Sequence, residues 1–434
     1  MRRAYRGRIL TPTSRAPNAL AAPALAYFED GLLVVGSDGR IVAVEAFDER
    51  AAVGPVTDLR PSVIVPGFVD AHLHYPQARI VGSATGPLLD WLERSAFPEE
   101  ARFRDEAYAR LVAGEVVTRL VQVGTTTACF FSSSSARATD VLFETLAASG
   151  LRGIAGLTLM DQACPEALRT PREEALDACR ELADRWHGHD GGRLGFALTP
   201  RFALGCSRGL LEAASALAAE RALFVQTHLA ENLREEEATL AAHPWASSYL
   251  DVYERVGLLG PRTLFAHAIH LAPSGWDRLA ALGARVAHCP DSNFFLGSGR
   301  MHLAAALERD VPVALGSDVG AGRSFSIRRA MASAYDSALC LDQRVGPEAI
   351  FSLATLGGAR ALGLDAKVGS LEVGKDADVA VFALPGHVRT AAEVLAHLVF
   401  ATDDVCADRV LVRGRKLSAA PPKHVPRPPP RASA

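Results

Sequence analysis

Residues 63–77 read Val-Ile-Val-Pro-Gly-Phe-Val-Asp-Ala-His-Leu-His-Tyr-Pro-Gln, so His72 and His74 close an apolar, β-branched run. On an extended strand residues i and i+2 project from one face, and both imidazoles can then share a metal ion. Imidazole suits zinc and its first-row neighbours. A bare His-x-His arises by chance in many chains; one that ends a buried strand and runs into Pro76-Gln77 is more specific. Other residues able to do chemistry also follow apolar runs: Arg201 with Phe202, His228 with Glu231 three residues on, His267, and Asp318. Three imidazoles and a carboxylate, His72, His74, His228 and Asp318, can hold a single metal with room for a water. Such a metal lowers the pKa of its water to ~7 in favourable sites. Glu231 would sit within reach of that water and could move protons. His267 would lie beside it as a hydrogen-bond partner.

Each residue alone has a plainer reading. A single strand-end histidine is more often a hydrogen-bonded core or loop residue, and Asp318 in Leu-Gly-Ser-Asp could cap the next helix. What favours a site is five such residues in the order in which a barrel presents its strand ends. A second His-x-His, His187-Gly188-His189, follows a helical stretch and precedes Asp190-Gly191-Gly192, and reads as solvated loop. His288, in Arg-Val-Ala-His-Cys-Pro, could line the same pocket, with structural packing the favoured reading.

The scaffold that must position these residues is legible in outline. Strand-like runs at Thr125-Thr126-Thr127, Phe196 to Arg201, Leu223 to His228, Leu264 to His267, Arg285 to His288 and Val313 to Asp318 alternate with helical stretches such as Ala107 to Val121 and Arg172 to Trp186. Alternation over some 300 residues predicts an α/β fold, a distorted (β/α)8 barrel spanning residues 66–369. At the start, Leu32 to Val35 and Ile41 to Val44 flank Asp38-Gly39, a hairpin signal. Strand character returns at Gly369 to Val381 and at Val410 to Val412. Residues 1–65 and 370–420 are therefore expected to form a small β-sandwich domain from both chain ends, and the Pro-rich residues 421–434 a disordered tail.

Composition narrows the partners. At 434 residues the chain suits one large domain plus a smaller one. A net charge of −3 gives no reason to expect nucleic acid or an anionic membrane. No run of 18 or more apolar residues suggests a membrane span. The first residues carry no secretory signal, and seven scattered cysteines fit a reducing, cytoplasmic setting. A composition that is 49% apolar would allow a homodimer.

The Pro-Gly-Phe-Val-Asp-Ala-His-Leu-His stretch, the later His228, His267 and Asp318, and the two-part β domain together resemble the amidohydrolase superfamily. Its members are metal-dependent hydrolases and deaminases on a distorted (β/α)8 barrel, and the resemblance runs to about residue 418. Some members hold two metals through a carbamylated lysine. Here lysine occurs only at Lys367, Lys375, Lys416 and Lys423, so that arrangement is excluded, as is a Schiff base on the barrel. One Zn2+ per chain is expected, as in the deaminase branch. The motifs His74-Tyr-Pro-Gln, Leu88-Leu-Asp-Trp-Leu, Phe97-Pro-Glu-Glu, Thr199-Pro-Arg-Phe and His288-Cys-Pro-Asp-Ser-Asn are similar to those of the guanine deaminase branch. That resemblance implies hydrolysis of guanine to xanthine and ammonia, with Glu231, His267 and Asp318 catalytic. It makes Gln77, Arg201, Phe202, Glu231 and Asp318 substrate-binding. An arginine fork matches guanine O6 and N7. A glutamine amide can donate or accept at another ring edge, and a phenylalanine offers stacking. Related rings, 8-oxoguanine or an s-triazine, would suit the same metal machinery. A non-catalytic scaffold of this fold is disfavoured, because every metal-site residue and Glu231 is present.

Overall fold

The computed structural model describes residues 2–13, 24–50, 55–83, 86–402 and 406–418. The Pro-rich tail expected at 421–434 lies outside the described residues. Four strands open the chain: β1 (Arg3–Pro12), β2 (Leu25–Val35), β3 (Ile41–Ala46) and β4 (Val56–Pro66). Eight parallel barrel strands follow: β5 (Phe68–His74), β6 (Thr125–Phe131), β7 (Arg152–Gly156), then, after the two-residue β8 (Thr158–Leu159), β9 (Leu194–Pro200), β10 (Phe224–Leu229), β11 (Thr263–His267), β12 (Arg285–His288) and β13 (Val313–Leu315). The chain closes with β14 (Val379–Phe382), β15 (Arg409–Val412) and β16 (Arg415–Lys416).

The barrel strands pair in chain order from β5 to β13. Closure comes from the segment after β13, where Asp318 N–H donates to His72 O at 2.8 Å and His74 N–H to Val319 O at 2.8 Å. The seams of the barrel therefore meet at the histidine pair. Register shifts between β5 and β6 distort the barrel on the same side. All seven residues of β5 are buried, as expected of a parallel strand covered by helices. Small side chains fill the barrel's narrow interior: Ala71, Cys129, Ala197, Ala287, Cys289 and Ala314 form one buried cluster with Val69, Ile154 and Leu264. The helices outside span Glu106–Gln122, where Asp105 caps the N-terminus by accepting from Ala107 N, and Arg172–Trp186, within a residue of the sequence expectation.

Strands from both chain ends form one seven-stranded mixed sheet, in the order β16-β15-β14-β4-β1-β2-β3. It matters to the site because β4 runs into β5 with only Gly67 between them. A Cβ at Gly67 would come within 2.1 Å of the Thr126 side chain, so the sheet can feed the histidine strand only through glycine.

A buried ion cluster fastens the two parts. Arg152, on β7, donates to Asp378 at 2.9 Å and to Asp376 at 2.7 Å, and the Arg413 N–H also reaches Asp378 at 2.9 Å. Removing the cation leaves the buried Asp378 without a cationic partner, while Asp376 keeps the Arg413 guanidinium at 3.2 Å. Arg152→Met is accordingly expected to lower unfolding stability by about 3–5 kcal/mol in urea titrations. A loss below ~1 kcal/mol would show that the cluster does not hold the two parts together.

Candidate active site

The strand ends hold their side chains through unusual backbone. Ala230, His267, Ala268 and Asp318 have φ of 46°, 72°, 50° and 48°. Left-handed conformations cost non-glycine residues ~1–3 kcal/mol each and persist where the surroundings over-determine them. One such surrounding is Asp70, two residues before His72. Its carboxylate accepts from Ser317 N at 3.0 Å, from Ser317 Oγ at 2.5 Å and from His72 N at 3.3 Å, and so ties β5 to the turn that carries Asp318.

Onto this frame the predicted metal residues converge. The ring nitrogens of His72, His74 and His228 form a group lying within 4.8 Å of one another, as do ligand atoms of His72, His267, Cys289 and Asp318. His74 Nε2 faces His228 Nε2 at 3.1 Å. Asp318 Oδ1 stands 3.3 Å from His72 Nε2 and 3.7 Å from His74 Nε2. The imidazole tautomers follow from the far side of each ring. His228 Nδ1–H donates to Arg201 O at 2.5 Å and His267 Nδ1–H to Asn293 Oδ1 at 2.9 Å. Both rings therefore turn an Nε2 lone pair inward. Burial, reinforced by the neighbouring imidazoles, holds His74 and His228 well below the ordinary histidine range; burial also lowers His72. Imidazoles with inward lone pairs, and a buried His72 Nε2 that faces the Asp318 carboxylate and makes no hydrogen bond among the described residues, are what a divalent cation requires. The donor set fits a metal.

Two carboxyls at this centre are driven apart. Burial, with Asp318 close by, raises Glu231 well above the usual carboxylate range. Burial raises Asp318 too, but the facing His72 and His267 rings outweigh it and leave this carboxyl below that range. His267 Nε2 stands between them, 3.4 Å from Glu231 Oε2 and 3.8 Å from Asp318 Oδ2. Two carboxyls pushed in opposite directions and bracketing one imidazole are suited, one to give and the other to take a proton at the same spot.

A cavity opens onto the cluster, lined by His74, His228, Glu231 and Asp318 together with Gln77, Arg201 and Phe202. Every predicted substrate residue is thus brought to one chamber. Sequence reasoning missed others. Leu88, Trp91 and Leu92, on consecutive helical turns between β5 and β6, form an apolar wall. The buried Trp91 indole N–H has no hydrogen-bond partner among the described residues. Glu235, three residues into its own helix, accepts from Glu231 N at 3.0 Å and from Tyr249 OH at 2.5 Å. Glu100, from the helix Phe97–Ala101, hydrogen-bonds both Gln77 and Arg201. The Phe97-Pro-Glu-Glu motif contains it, but nothing in one sequence tells Glu100 from Glu99, which instead pairs with Arg102 at 2.9 Å.

The second His-x-His and His288 both lie apart from the residues that line the cavity, though His187 accepts from Phe196 N at 3.3 Å and is not a free loop side chain. His187 is exposed, and His189 packs edge-on against Trp186. His288 is fully buried, pushed down to about 3 by burial, and is not among the residues lining the cavity.

Comparison with known proteins agrees with this architecture. The amidohydrolase family model matches residues 63–417. A probable guanine deaminase of Deinococcus radiodurans is 44% identical over 406 residues, covering 91% of each chain. The guanine deaminase of Escherichia coli K12 is 38% identical, covering 87% of each. A crystal structure of guanine deaminase from C. acetobutylicum with guanine bound in its active site superposes with a TM-score of 0.90 at 29% identity, over 96% of this chain and 100% of that one.

Proposed function

This chain belongs to the amidohydrolase family and, within it, to the guanine deaminases, and from that premise we propose that it hydrolyses guanine to xanthine and ammonia with one zinc ion. The observation that carries the proposal is one chamber in which Gln77, Arg201 and Phe202 face a cluster of histidines and two oppositely poised carboxyls. Among the described residues no helix is long and apolar enough to cross a membrane, and a small purine is the proposed partner.

His72, His74, His228 and Asp318 would hold the metal, which when bound supplies a Lewis acid that makes a water acidic near pH 7. The chain's own groups do the rest. Arg201 donates to O6 and N7, and Gln77 reaches a second ring edge. Phe202 and the Leu88-Trp91-Leu92 wall flank the ring and exclude bulk water. This grip sets C2 above the cluster. Asp318 and His267 take the proton from the attacking water as its oxygen bonds to C2. Glu231 gives its proton to the ring nitrogen beside C2, which neutralises the charge the attack pushes there. The exocyclic C2–N bond then breaks as the amino group receives the proton taken from the water and leaves as ammonia, while the new hydroxyl on C2 returns its remaining proton to Glu231 and becomes the carbonyl of xanthine. An adenine amino group would set donor against donor at Arg201, at a cost of ~1–3 kcal/mol or more.

A substrate panel of guanine, 8-oxoguanine, adenine, cytosine and an s-triazine tests the assignment: guanine should show the highest kcat/KM, and a higher value for any other ring would contradict it. Arg201→Ala should raise KM for guanine by about 10–100-fold. Metal content should stay intact, because the Arg201 backbone carbonyl, not its side chain, receives the His228 N–H. Matching losses of metal and affinity would rule out a recognition role.

A further inference from the structure

We infer that Glu100 is a positioning residue that sets the hydrogen-bond polarity of the purine-binding edge, an inference that rests on the guanine reading above. Its carboxylate is 2% exposed and spans two partners that are distant in the chain. Oε1 accepts from Gln77 Nε2 at 2.7 Å, and Oε2 accepts from Arg201 Nη1 at 2.6 Å. The opposite end of the Gln77 amide is fixed as well, since its Oε1 accepts from Gly320 N at 3.2 Å.

These contacts decide what the pocket can offer. A glutamine amide is ambivalent, because its oxygen and nitrogen ends are nearly the same shape and can exchange places. Between a carboxylate, which only accepts, and a backbone N–H, which only donates, a single orientation satisfies both neighbours. Gln77 is left with one free N–H, and Arg201, a donor at every nitrogen, keeps its remaining N–H groups. With Glu100 in place both partners present donors, Arg201 to the O6 and N7 acceptors of guanine and Gln77, through its free N–H, to the second ring edge. The same carboxylate balances the Arg201 charge, so a neutral ring can enter without an uncompensated buried cation. Arg201 also lies over the Phe97 ring, 5.2 Å from its centroid, so one helix supplies both the clamp and an aromatic backing.

Glu100 lies behind Gln77 and Arg201 and touches neither C2 nor the attacking water in this account, so its loss should act on affinity for the O6 edge. The test uses Glu100→Gln, whose amide satisfies Gln77 in either orientation, and Glu100→Asp, which keeps the charge but is one methylene short of spanning both partners. Wild type and both variants, loaded with zinc, are assayed for guanine kcat and KM, for the inhibition constant of 2-aminopurine, which lacks O6, and for metal content. The expected result is a guanine KM raised about 10–100-fold with kcat within about threefold, metal unchanged, and a 2-aminopurine constant that rises by a clearly smaller factor than the guanine KM, since that ring keeps N7 and the second edge but has no O6 to lose. If Glu100→Gln does not fold, Glu100→Asp reads the same quantities. A guanine KM that stays at the wild-type value overturns the positioning role while leaving the guanine assignment standing. So does parallel weakening of guanine and 2-aminopurine, which marks general structural damage. A wild-type protein that does not deaminate guanine overturns both.

Discussion

Replacing Glu231 with glutamine is expected to leave zinc in place and to lower kcat on guanine by about 10²–10⁴-fold, the range for loss of a positioned general acid–base group. The side chain is buried, opens onto the substrate chamber and stands 3.4 Å from His267 Nε2. Burial and the Asp318 charge hold it well above the usual carboxylate range, which suits it to the donor's part. An amide of the same shape can fill that space but cannot pass a proton from the water to the ring. Its backbone hydrogen bond to Glu235 would survive the substitution, so the turn that carries it should hold. KM should change little. A glutamine variant with near-normal turnover would remove Glu231 from the proton path, and one lacking zinc would recast it as part of the metal site.

Removal of the metal should have the largest effect of all. Treatment with a strong chelator is expected to take turnover to background while the chain stays folded, with a lower Tm because a ligand bound only by the folded state has been lost. One equivalent of Zn2+ per chain should restore both. The fold should survive because the strand ends are joined without the metal: Asp318 N–H to His72 O, His74 N–H to Val319 O, and the Asp70 carboxylate to Ser317. Elemental analysis after reconstitution checks the stoichiometry. Two tightly held ions per chain would contradict the argument from the missing barrel lysines, since no lysine between residues 66 and 366 can form a bridging carbamate.

Much of the site was legible because parallel barrels put chemistry at strand ends, and strand ends leave a local signature. His72, His74, His228, His267 and Asp318 each follow a buried apolar run, and each arrives at the same cluster. The helix Arg172–Trp186 could be bounded to the residue because Pro171 precedes it and a glycine lies two beyond its end. The strand Arg152–Gly156 was passed over, as Arg-Gly-Ile-Ala-Gly carries too little β-branched character to stand out from a loop. Its strand conformation is imposed by neighbours on both sides. Glu100, Trp91 and Glu235 were hidden for a different reason. Glu100 and Trp91 sit on short helical segments between β5 and β6, and Glu100 acts through Arg201, about a hundred residues on; Glu235 lies in the helix Leu233–Ala242, and its part shows only in its bonds to Glu231 N and Tyr249 OH. The left-handed backbone at His267 and Asp318 likewise has no sequence mark, because neither residue is glycine.

The central claim is that a metal-activated water replaces the exocyclic amino group of guanine in this chamber. Its most direct test is to incubate the purified, zinc-loaded protein with guanine in ¹⁸O-enriched water and to analyse the purine and the ammonia released. The account predicts xanthine with a single solvent-derived ¹⁸O at C2 and one ammonia per guanine consumed, with no conversion after chelation. Guanine recovered unchanged from the metal-loaded protein, or a product without solvent oxygen at C2, would contradict it.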